Sequence, residues 1–305
     1  MRTIMIAILA LGVALSAASA QTPPSDGAVW SQDATNHYIV ISDQPYVTVG
    51  GFILKLDVWQ NQESKKALPT VMYIHGGGLE FGDRMGAVPY LFPYLNKGWN
   101  VVNVEYRLSG QALAPAAVKD VRCALRWVYR NAARFNMDTD RIVITGHSAG
   151  GYLALMTGVL TAQDGFDDNC PASEAEKPLK VAAIVNWFGP SDFGVLLQGA
   201  PGLRPHAVKW IGNQPDSAAL IARVSPITYA RPGLPPVITV HGDTDPAAPY
   251  ESAVRFHAAL EKSGDVNQLV TVPGGRHGFH AFDDAQTRDA YAKIFAFLRA
   301  HVAGL

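Results

Sequence analysis

Short apolar runs alternate with longer amphipathic stretches along most of the chain, and this alternation predicts its secondary structure. Apolar runs bounded by turn residues are typical of buried strands, whereas apolar positions at every third or fourth residue are typical of helices. Two stretches, 38–42 and 52–58, predict antiparallel edge strands. Runs that predict buried strands lie at residues 70–74, 100–107, 141–145, 181–187, 236–242 and 268–272. Helical patterns lie at residues 115–135, 251–262 and 284–302, and directly after residue 148.

The alternation of strands and helices predicts an α/β fold with a mostly parallel central sheet and helices on both faces. Ligands of such folds bind beyond the carboxyl ends of the strands. No linker or internal repeat interrupts residues 37–305, so we predict a single domain there. Periodicity is lost at about residues 192–224, which contain several Pro and Gly. We interpret this stretch as a small cap inserted over the site, in which His206 has a structural role.

The N-terminus has the pattern of a secretory signal peptide. Arg2 supplies a positive charge, residues 4–15 an apolar core, and residues 18–20 an Ala-Ser-Ala cleavage site. We therefore expect cleavage near Ala20 and export to the periplasm or beyond. A membrane anchor is the alternative, but the apolar segment is short and no cysteine follows it for lipidation. Residues 21–36, rich in Pro, Ser, Gly and Asp, predict a loose arm.

The composition argues against several kinds of partner and site. Lys and Arg number 25 and Asp and Glu 26, and this balance gives no reason to expect a nucleic acid partner. No His, Cys or Asp residues show the spacing of metal ligands, so we expect no metal and no cofactor. Beyond the N-terminus, no apolar run is long enough to cross a membrane, and we expect no stable membrane anchor. The oligomeric state is left open.

The chain contains two cysteines, Cys123 in a helical pattern and Cys170 in a polar loop. In an oxidising compartment two such residues form a disulfide or remain as unrelated free thiols. Because we expect export, we favour the disulfide between Cys123 and Cys170.

A Gly-x-Ser-x-Gly motif occupies residues 146–150, where a predicted strand meets a predicted helix with Ser148 between them. A nucleophile held in a sharp turn needs small neighbours, or the turn collides with the adjacent strand and helix. A chance glycine-rich turn is the alternative. The strand-turn-helix context favours a nucleophile elbow.

A second glycine-rich segment, His75-Gly76-Gly77-Gly78, directly follows the predicted strand 70–74. Consecutive glycines allow backbone N–H groups to approach a ligand without a Cβ in the way. A flexible turn is the usual alternative for a glycine run. Its place upstream of Ser148 instead favours an oxyanion-binding loop.

Six motifs, spread from about residue 48 to the C-terminus, carry a resemblance to a known family. They are His75-Gly76-Gly77-Gly78, Tyr106-Arg107-Leu108, Gly146-His147-Ser148-Ala149-Gly150-Gly151, Ser225-Pro226-Ile227-Thr228-Tyr229, His241-Gly242-Asp243-Thr244-Asp245 and His277-Gly278-Phe279. The chain resembles the α/β-hydrolases, and more closely the secreted esterases near the hormone-sensitive-lipase type and the feruloyl and acetyl-xylan esterases. Its acid turn departs from the hormone-sensitive-lipase type and is similar to that of feruloyl esterases and prolyl-oligopeptidase-like peptidases.

The resemblance implies roles for particular residues. Ser148 would be the nucleophile, His277 its general base and Asp245 the carboxylate that orients His277, with Asp243 bracing the acid turn and His280 the rival histidine. Backbone N–H groups would bind the oxyanion, and further residues would contact the substrate. The predicted oxyanion donors are Gly77, Gly78 and Ala149. The predicted substrate contacts are His75, Gly76, His147, Trp187 and Phe188, of which the last two would form flat pocket walls.

A serine nucleophile beside a glycine-rich loop indicates acyl transfer, most simply to water. We therefore predict a carboxylic ester hydrolase whose partner is a small-molecule or glycan-linked ester. A prolyl-oligopeptidase-like peptidase or amidase is the second reading, and a binding module that reuses the fold is the third. The cap is short and interrupted by polar residues, which favours short-acyl or aryl (feruloyl-type) esters over long-chain triglycerides.

Overall fold

The computed structural model describes residues 36–170, 178–199 and 202–305. The predicted signal peptide and nearly all of the predicted arm lie outside these ranges. An eight-stranded sheet in the order β1-β2-β4-β3-β5-β6-β7-β8 forms the centre of the molecule. The strands are β1 Tyr38–Val49, β2 Phe52–Asn61, β3 Leu68–Ile74, β4 Asn100–Val104, β5 Met137–His147, β6 Ala183–Trp187, β7 Val237–Gly242 and β8 Asn267–Val272.

The helices of the described ranges connect these strands and cover both faces of the sheet. They are α1 Arg84–Ala87, α2 Phe92–Leu95, α3 Ala116–Asn131, α4 Ala149–Val159, α5 Phe193–Gln198, α6 Arg204–Ile211, α7 Ser217–Arg223, α8 Tyr250–Ser263 and α9 Asp284–His301. Strands β3 to β8 pair in parallel, while β1 and β2 pair antiparallel at one edge. The predicted α/β class, with its mostly parallel sheet and antiparallel edge strands, is therefore confirmed.

Alternate residues of each parallel strand enter two separate cores. Met72 and Ile74 of β3 belong to the core beneath α3, α4 and α8, whereas Val71 and Tyr73 belong to the core beneath α9. This follows from the two-residue period of a strand, which turns successive side chains to opposite faces. Since helices cover both faces, β3, β4, β6 and β7 are buried along nearly their whole length rather than at alternate residues.

Strand β5 begins earlier than its sequence predicts. Residues 136–140 have the composition of a turn, yet Met137 pairs with Leu68 of β3 and the strand continues to His147. The chain reverses at residues 132–136, and Asn136 at the end of this turn adopts a positive φ of 57°. Asp138 is satisfied locally, because its carboxylate accepts a hydrogen bond from Nε of Arg141 at 2.7 Å. Pairing with a distant strand thus outweighs the local preference for a turn.

Three short helices, α5 to α7, lie between β6 and β7 and form the cap. Their apolar side chains, including Phe193, Leu196 and Trp210, are buried in the core that also contains α4. A disulfide between Cys123 of α3 and Cys170 ties that helix to the loop after α4, as predicted. No helix within the described ranges is both long and apolar enough to cross a bilayer.

Candidate active site

Ser148 lies at the turn between β5 and α4, in a strained backbone conformation. Its φ of 54° and ψ of −121° are unusual for a residue with a side chain. The turn is fixed by the Ser148 N–H, which donates to the carbonyl oxygen of Trp187 at 2.8 Å. A Cβ at Gly150 would stand 2.1 Å from the carbonyl oxygen of Ile74, so only glycine allows the helix to pass so close to β3. This geometry is that of a nucleophile elbow.

Ser148, His277 and Asp245 form one hydrogen-bonded chain. Nδ1 of His277 donates to Oδ2 of Asp245 at 2.7 Å, and Nε2 of His277 lies 2.8 Å from Oγ of Ser148. Because Nδ1 carries its proton toward a carboxylate, Nε2 is left as the acceptor for the Ser148 hydroxyl. The arrangement can therefore withdraw a proton from Ser148 as its oxygen attacks an acyl carbon.

The carboxylate of Asp245 is held from several sides. Oδ1 accepts the backbone N–H groups of Ala247 at 2.8 Å and Ala248 at 2.9 Å. Oδ2 faces Nε2 of His241 at 3.3 Å in addition to His277. Burial by itself would raise the pKa of Asp245, but the hydrogen bonds from His241 and His277 outweigh it and hold the pKa well below its usual value. The side chain is therefore an anion throughout the neutral pH range.

The structure separates the rival acids and histidines of the sequence. Oδ1 of Asp243 accepts the backbone N–H of Gly274 at 2.7 Å, so its carboxylate braces the turn between β7 and the loop that carries His277. His280 is exposed at the end of the same loop. Only Asp245 and His277 enter the hydrogen-bonded chain with Ser148 in the described part of the protein.

The loop of residues 75–82 carries two of the predicted oxyanion donors, Gly77 and Gly78. Gly77 has a φ of 113°, and a Cβ there would stand 2.1 Å from the carbonyl oxygen of Phe81. The Gly77 carbonyl accepts the N–H groups of Glu80 and Phe81 and so closes the loop. Among the backbone hydrogen bonds of the described residues, none uses the N–H groups of Gly77, Gly78 or Ala149. These groups are available to an oxyanion.

His75 supports the oxyanion loop from below. Its side chain is buried, its ring stacks on Tyr106 with centroids 4.4 Å apart, and its Nδ1 donates to the carbonyl oxygen of Gly76 at 2.8 Å. Burial lowers the pKa of His75 to about 4, which keeps the ring neutral. The structure thus places His75 as a brace of the loop rather than at the pocket surface predicted for it.

His147 forms part of an aromatic group beside the elbow. Its Nδ1 lies 2.7 Å from the hydroxyl of Tyr73, and its ring lies 4.6 Å from that of Tyr90. Tyr90 in turn stacks on Phe279, two residues after His277, with centroids 4.8 Å apart. His147, Tyr90 and Phe279 are only partly buried. They form a partly exposed aromatic surface near His277, because His147 and Phe279 both pack against Phe188, whose ring contacts His277.

The structure does not place Trp187 and Phe188 on a pocket wall as predicted. Both side chains are fully buried. The Trp187 ring packs against Tyr291 of α9, with centroids 4.8 Å apart, because the alternation of β6 turns it into the core beneath that helix. The Phe188 ring packs edge-on against the His277 ring, with centroids 5.1 Å apart, and so helps to hold the imidazole in place.

The cap covers the far side of the oxyanion loop. Oε2 of Glu80 accepts a hydrogen bond from Nδ1 of His206 at 2.7 Å, and its other oxygen pairs with Lys209. A Cβ on Gly78 would stand 3.0 Å from the His206 ring. Helix α6 is therefore in direct contact with the loop that carries the predicted oxyanion donors.

A narrow cavity opens beside the oxyanion donors Gly78 and Ala149 and extends under the cap. Its volume is about 10 Å³, room for about one water molecule. Its other walls are apolar or aromatic side chains: Leu79, Tyr152, Pro190, Phe193, Leu196, Leu203 and Ala207. His277 does not line it.

His241 and Glu80 contact the site although neither was predicted there, and His206 was predicted to have only a structural role. His241 stands at the end of β7, four residues before Asp245, and this position could have indicated it. Glu80 and His206 are 126 residues apart, and no motif in the sequence indicates that they are in contact. No group of three or more potential metal ligands occurs in the described ranges.

Comparisons with known proteins agree with this geometry. Esterase LipQ of Mycobacterium tuberculosis is 30% identical over 268 residues, which cover 84% of this chain and 61% of LipQ. The chain thus spans about three fifths of the length of that relative. A truncated carbohydrate esterase from gut microbiota is 25% identical, with a TM-score of 0.69 over 86% of this chain and 96% of that one.

A bifunctional GH43-CE protein of Bacteroides eggerthii superposes with a TM-score of 0.73 at 28% identity, over 85% of this chain and 35% of that chain. The model of the family described as BD-FAE matches residues 56–260, more than half of the sequence. Together with the fold, this match shows that the chain belongs to the BD-FAE family and has the α/β-hydrolase fold.

Proposed function

We propose that this protein is a serine carboxylic ester hydrolase that forms an acyl-enzyme on Ser148. The observation that carries the proposal is the unbroken hydrogen-bonded chain from Asp245 through His277 to Ser148. The predicted oxyanion donors are the backbone N–H groups of Gly77, Gly78 and Ala149. None of them donates to a backbone carbonyl of the described residues. A nucleophile, a base and an oxyanion site in one place are what acyl transfer requires.

The reaction takes place in two halves. In the first, Ser148 Oγ attacks the ester carbon while His277 Nε2 takes its proton, and the three N–H groups stabilise the oxyanion. His277 then donates the proton to the departing alcohol oxygen. In the second half, His277 deprotonates a water molecule that attacks the acyl-enzyme. It then returns the proton to Ser148 Oγ as the bond to the acyl carbon breaks and the acid leaves. Asp245 keeps His277 in the required tautomer and stabilises its charged form in both halves.

The narrow cavity supports a small acyl group. The departing alcohol must face His277, which protonates it, so the acyl group extends to the opposite side of the oxyanion site. We propose that the acyl group enters the cavity beside Gly78 and Ala149, which has a volume of about 10 Å³ and has Phe193 and Leu203 of the cap among its walls. An acetyl methyl group is close to the size of one water molecule, whereas a feruloyl or palmitoyl group is far larger. Of the two classes predicted from the sequence, we therefore propose the short-acyl class.

The partly exposed aromatic surface of Tyr90, His147 and Phe279 supports a ring-shaped alcohol. It is joined through Phe188 to His277, toward which the alcohol leaves. Flat aromatic faces pack well against the apolar face of a sugar ring. The structural relative from gut microbiota is itself described as a carbohydrate esterase. We propose that acetylated carbohydrates are substrates.

We also propose that the protein is exported. The charge, apolar core and Ala-Ser-Ala pattern of residues 1–20 support this, and so does the disulfide between Cys123 and Cys170, which persists best in an oxidising compartment. N-terminal sequencing of the protein recovered from a cell fraction tests the proposal. A mature N-terminus near Gln21 is expected, and an uncleaved Met1 in the cytoplasm would contradict it.

The test of the function is a comparison of kcat/KM for acetyl, butyryl, palmitoyl and feruloyl esters, acetylated xylose and a dipeptide amide. We expect acetyl esters to be preferred over butyryl esters and the feruloyl ester and the amide to be cleaved hardly at all. Ser148→Ala is the control and should retain less than roughly a thousandth of the activity. It should also no longer react with a fluorophosphonate. Cleavage of the amide in preference to the acetyl esters would favour the peptidase alternative instead.

A further inference from the structure

We propose that His241 is a positioning residue that holds the carboxylate of Asp245 in the orientation His277 requires. His241 lies at the end of β7, and its side chain and that of Asp245 are fully buried. Its Nε2 is 3.3 Å from Oδ2 of Asp245, the same oxygen that accepts the Nδ1 proton of His277. Asp245 thus connects two histidines through one oxygen atom.

The surroundings of the ring fix its tautomer. Nε2 lies 3.0 Å from the carbonyl oxygen of Ala248 and also faces the Asp245 carboxylate. Both neighbours can only accept hydrogen bonds, so Nε2 must carry the proton and donate to both. Nδ1 is buried and has no hydrogen-bond partner among the described residues. A buried nitrogen without a partner destabilises a fold, and a purely structural apolar residue would avoid that cost.

His241 Nε2 lies 3.3 Å from Oδ2 of Asp245, and this contact limits the movement of the carboxylate. The N–H groups of Ala247 and Ala248 both bind Oδ1, so Oδ2 is held by side chains alone, those of His277 and His241. His241 is a second side-chain contact for Oδ2, which accepts no backbone N–H from the described residues. Because a small displacement of Oδ2 changes the direction of the His277 ring, His241 acts on the reaction through Asp245 without touching the substrate.

Other titratable groups also face this pair. Tyr250 meets the His241 ring edge-on with centroids 5.7 Å apart, and His257 and His147 interact electrostatically with His241 and His277 respectively. Burial lowers the pKa of His257 and His147 to about 4, so both are neutral at the pH of an ordinary assay. His241 is the one among these groups that donates a hydrogen bond to Asp245.

The test compares His241→Leu with His241→Gln, using p-nitrophenyl acetate as substrate. Leucine removes the donor and keeps the bulk, whereas the amide nitrogen of glutamine can stand close to the position of Nε2. We expect His241→Leu to lower kcat roughly tenfold to a hundredfold, the loss typical of a buried hydrogen bond to a charged group, with KM little changed. Glutamine should restore most of the rate.

Two further measurements distinguish a role of His241 in positioning Asp245 from a general loss of structure in the variant. In His241→Leu the acid limb of the kcat/KM profile should move to higher pH, because an unshared Oδ2 attracts the charged form of His277 more strongly. The downfield proton resonance of the His277 Nδ1–H should shift in His241→Leu and return in His241→Gln. His257→Leu is the matched control: its ring is also buried beside β7, but it bonds Thr239 and Asn267, so kcat and the resonance should not change.

The inference rests on the proposed ester hydrolysis, and the two can fail separately. If the native protein neither cleaves an ester nor reacts with a fluorophosphonate, the proposed function is wrong, while the proton resonance still reports on His241. A folded His241→Leu protein with unchanged kcat and unchanged resonance would overturn the role of His241. Equal losses in the leucine and glutamine variants would overturn it too. Should His241→Leu not fold, the rate and resonance of His241→Gln decide, and a loss similar to that of Asp245→Asn is contrary to the proposal.

Discussion

Glu80 and His206 join the oxyanion loop to the cap, with Oε2 of Glu80 accepting a hydrogen bond from Nδ1 of His206 at 2.7 Å. The other carboxylate oxygen pairs with Lys209, one turn further along α6. Hydrogen bonds from Lys209 and His206 lower the pKa of Glu80, so that the link remains ionic at neutral pH. The position of Gly78, two residues before Glu80, therefore depends on a helix inserted elsewhere in the chain.

The first prediction is that Glu80→Gln lowers kcat for p-nitrophenyl acetate by roughly two- to fivefold at low salt, the range expected for losing exposed ion pairs. The amide keeps the shape of the side chain and removes its charge, so the loop is held less firmly. Glu63→Gln is the matched control, since Glu63 also pairs with a histidine, His37, but away from the site. Equal rates in the native protein and Glu80→Gln would contradict the prediction.

The second prediction distinguishes the two acids that follow β7. Asp245→Asn should lower kcat/KM roughly a thousandfold or more, because an amide cannot hold His277 in the required tautomer or stabilise its charge. Asp243→Asn should cost less than roughly tenfold, since Asp243 binds only the N–H of Gly274 and acts on the turn. Steady-state kinetics of both variants give the answer. Comparable losses, or the reverse order, would reassign the acid.

The third prediction concerns the disulfide. Cys123 and Cys170 are 47 residues apart in sequence, and closing a loop of that length stabilises the folded state by about 4 kcal/mol in the chain-entropy model. Replacing both cysteines with alanine should lower the free energy of unfolding by roughly 2–5 kcal/mol, measured by urea denaturation. The mature, denatured but unreduced protein should contain no titratable thiol. Two free thiols in that assay would contradict the bond.

The fourth prediction links buried histidines to acid stability. Burial lowers the pKa of His75, His147 and His257 to about 4 from 6.5. The unfolded chain therefore binds more protons than the native protein below pH 6.5, so the free energy of unfolding should fall as pH drops from about 6.5 toward 4. Each histidine contributes a slope of up to about 1.4 kcal/mol per pH unit.

The histidine variant that tests this is His257→Gln, which removes one titrating group. Its free energy of unfolding, measured in urea at several pH values, should fall less steeply between pH 6.5 and 4 than that of the native protein. Gln at this position keeps a polar atom near Thr239, which limits the loss of stability at neutral pH. Parallel curves for the two proteins would be inconsistent with a neutral, buried His257.

Local sequence features carried most of the fold and part of the site. Apolar runs between turn residues located β3, β4, β6, β7 and β8, and the first four of these strands are buried on both faces. The elbow at Ser148 and the glycine loop at residues 75–78 were recognisable because the strained turn and the open backbone N–H groups require glycine at fixed places. The first residues of β5 were not predicted as strand, because nothing in the neighbouring sequence indicates that Met137 pairs with Leu68.

The sequence pattern alone did not decide which of two aspartates is the acid, or whether Trp187 lies in the core or on a pocket wall. Asp243 and Asp245 follow the same strand, and periodicity does not distinguish them; the resemblance to a family favoured Asp245. Trp187 is the last residue of a buried strand, and this position is compatible both with a core residue and with a pocket wall. The structure buries it against Tyr291 of α9, a helix more than a hundred residues later in the chain.

The sequence by itself determined the α/β fold, the serine turn and the set of residues able to perform acyl transfer, since each depends on the chemistry of neighbouring residues. Only the tertiary structure decided that His241 shares the carboxylate of Asp245, that His206 meets Glu80, and that the cavity beside Ala149 holds about 10 Å³. These are distances between side chains from separate strands, helices and loops. They are set when the apolar faces of the sheet and helices pack together, so no stretch of sequence encodes them alone.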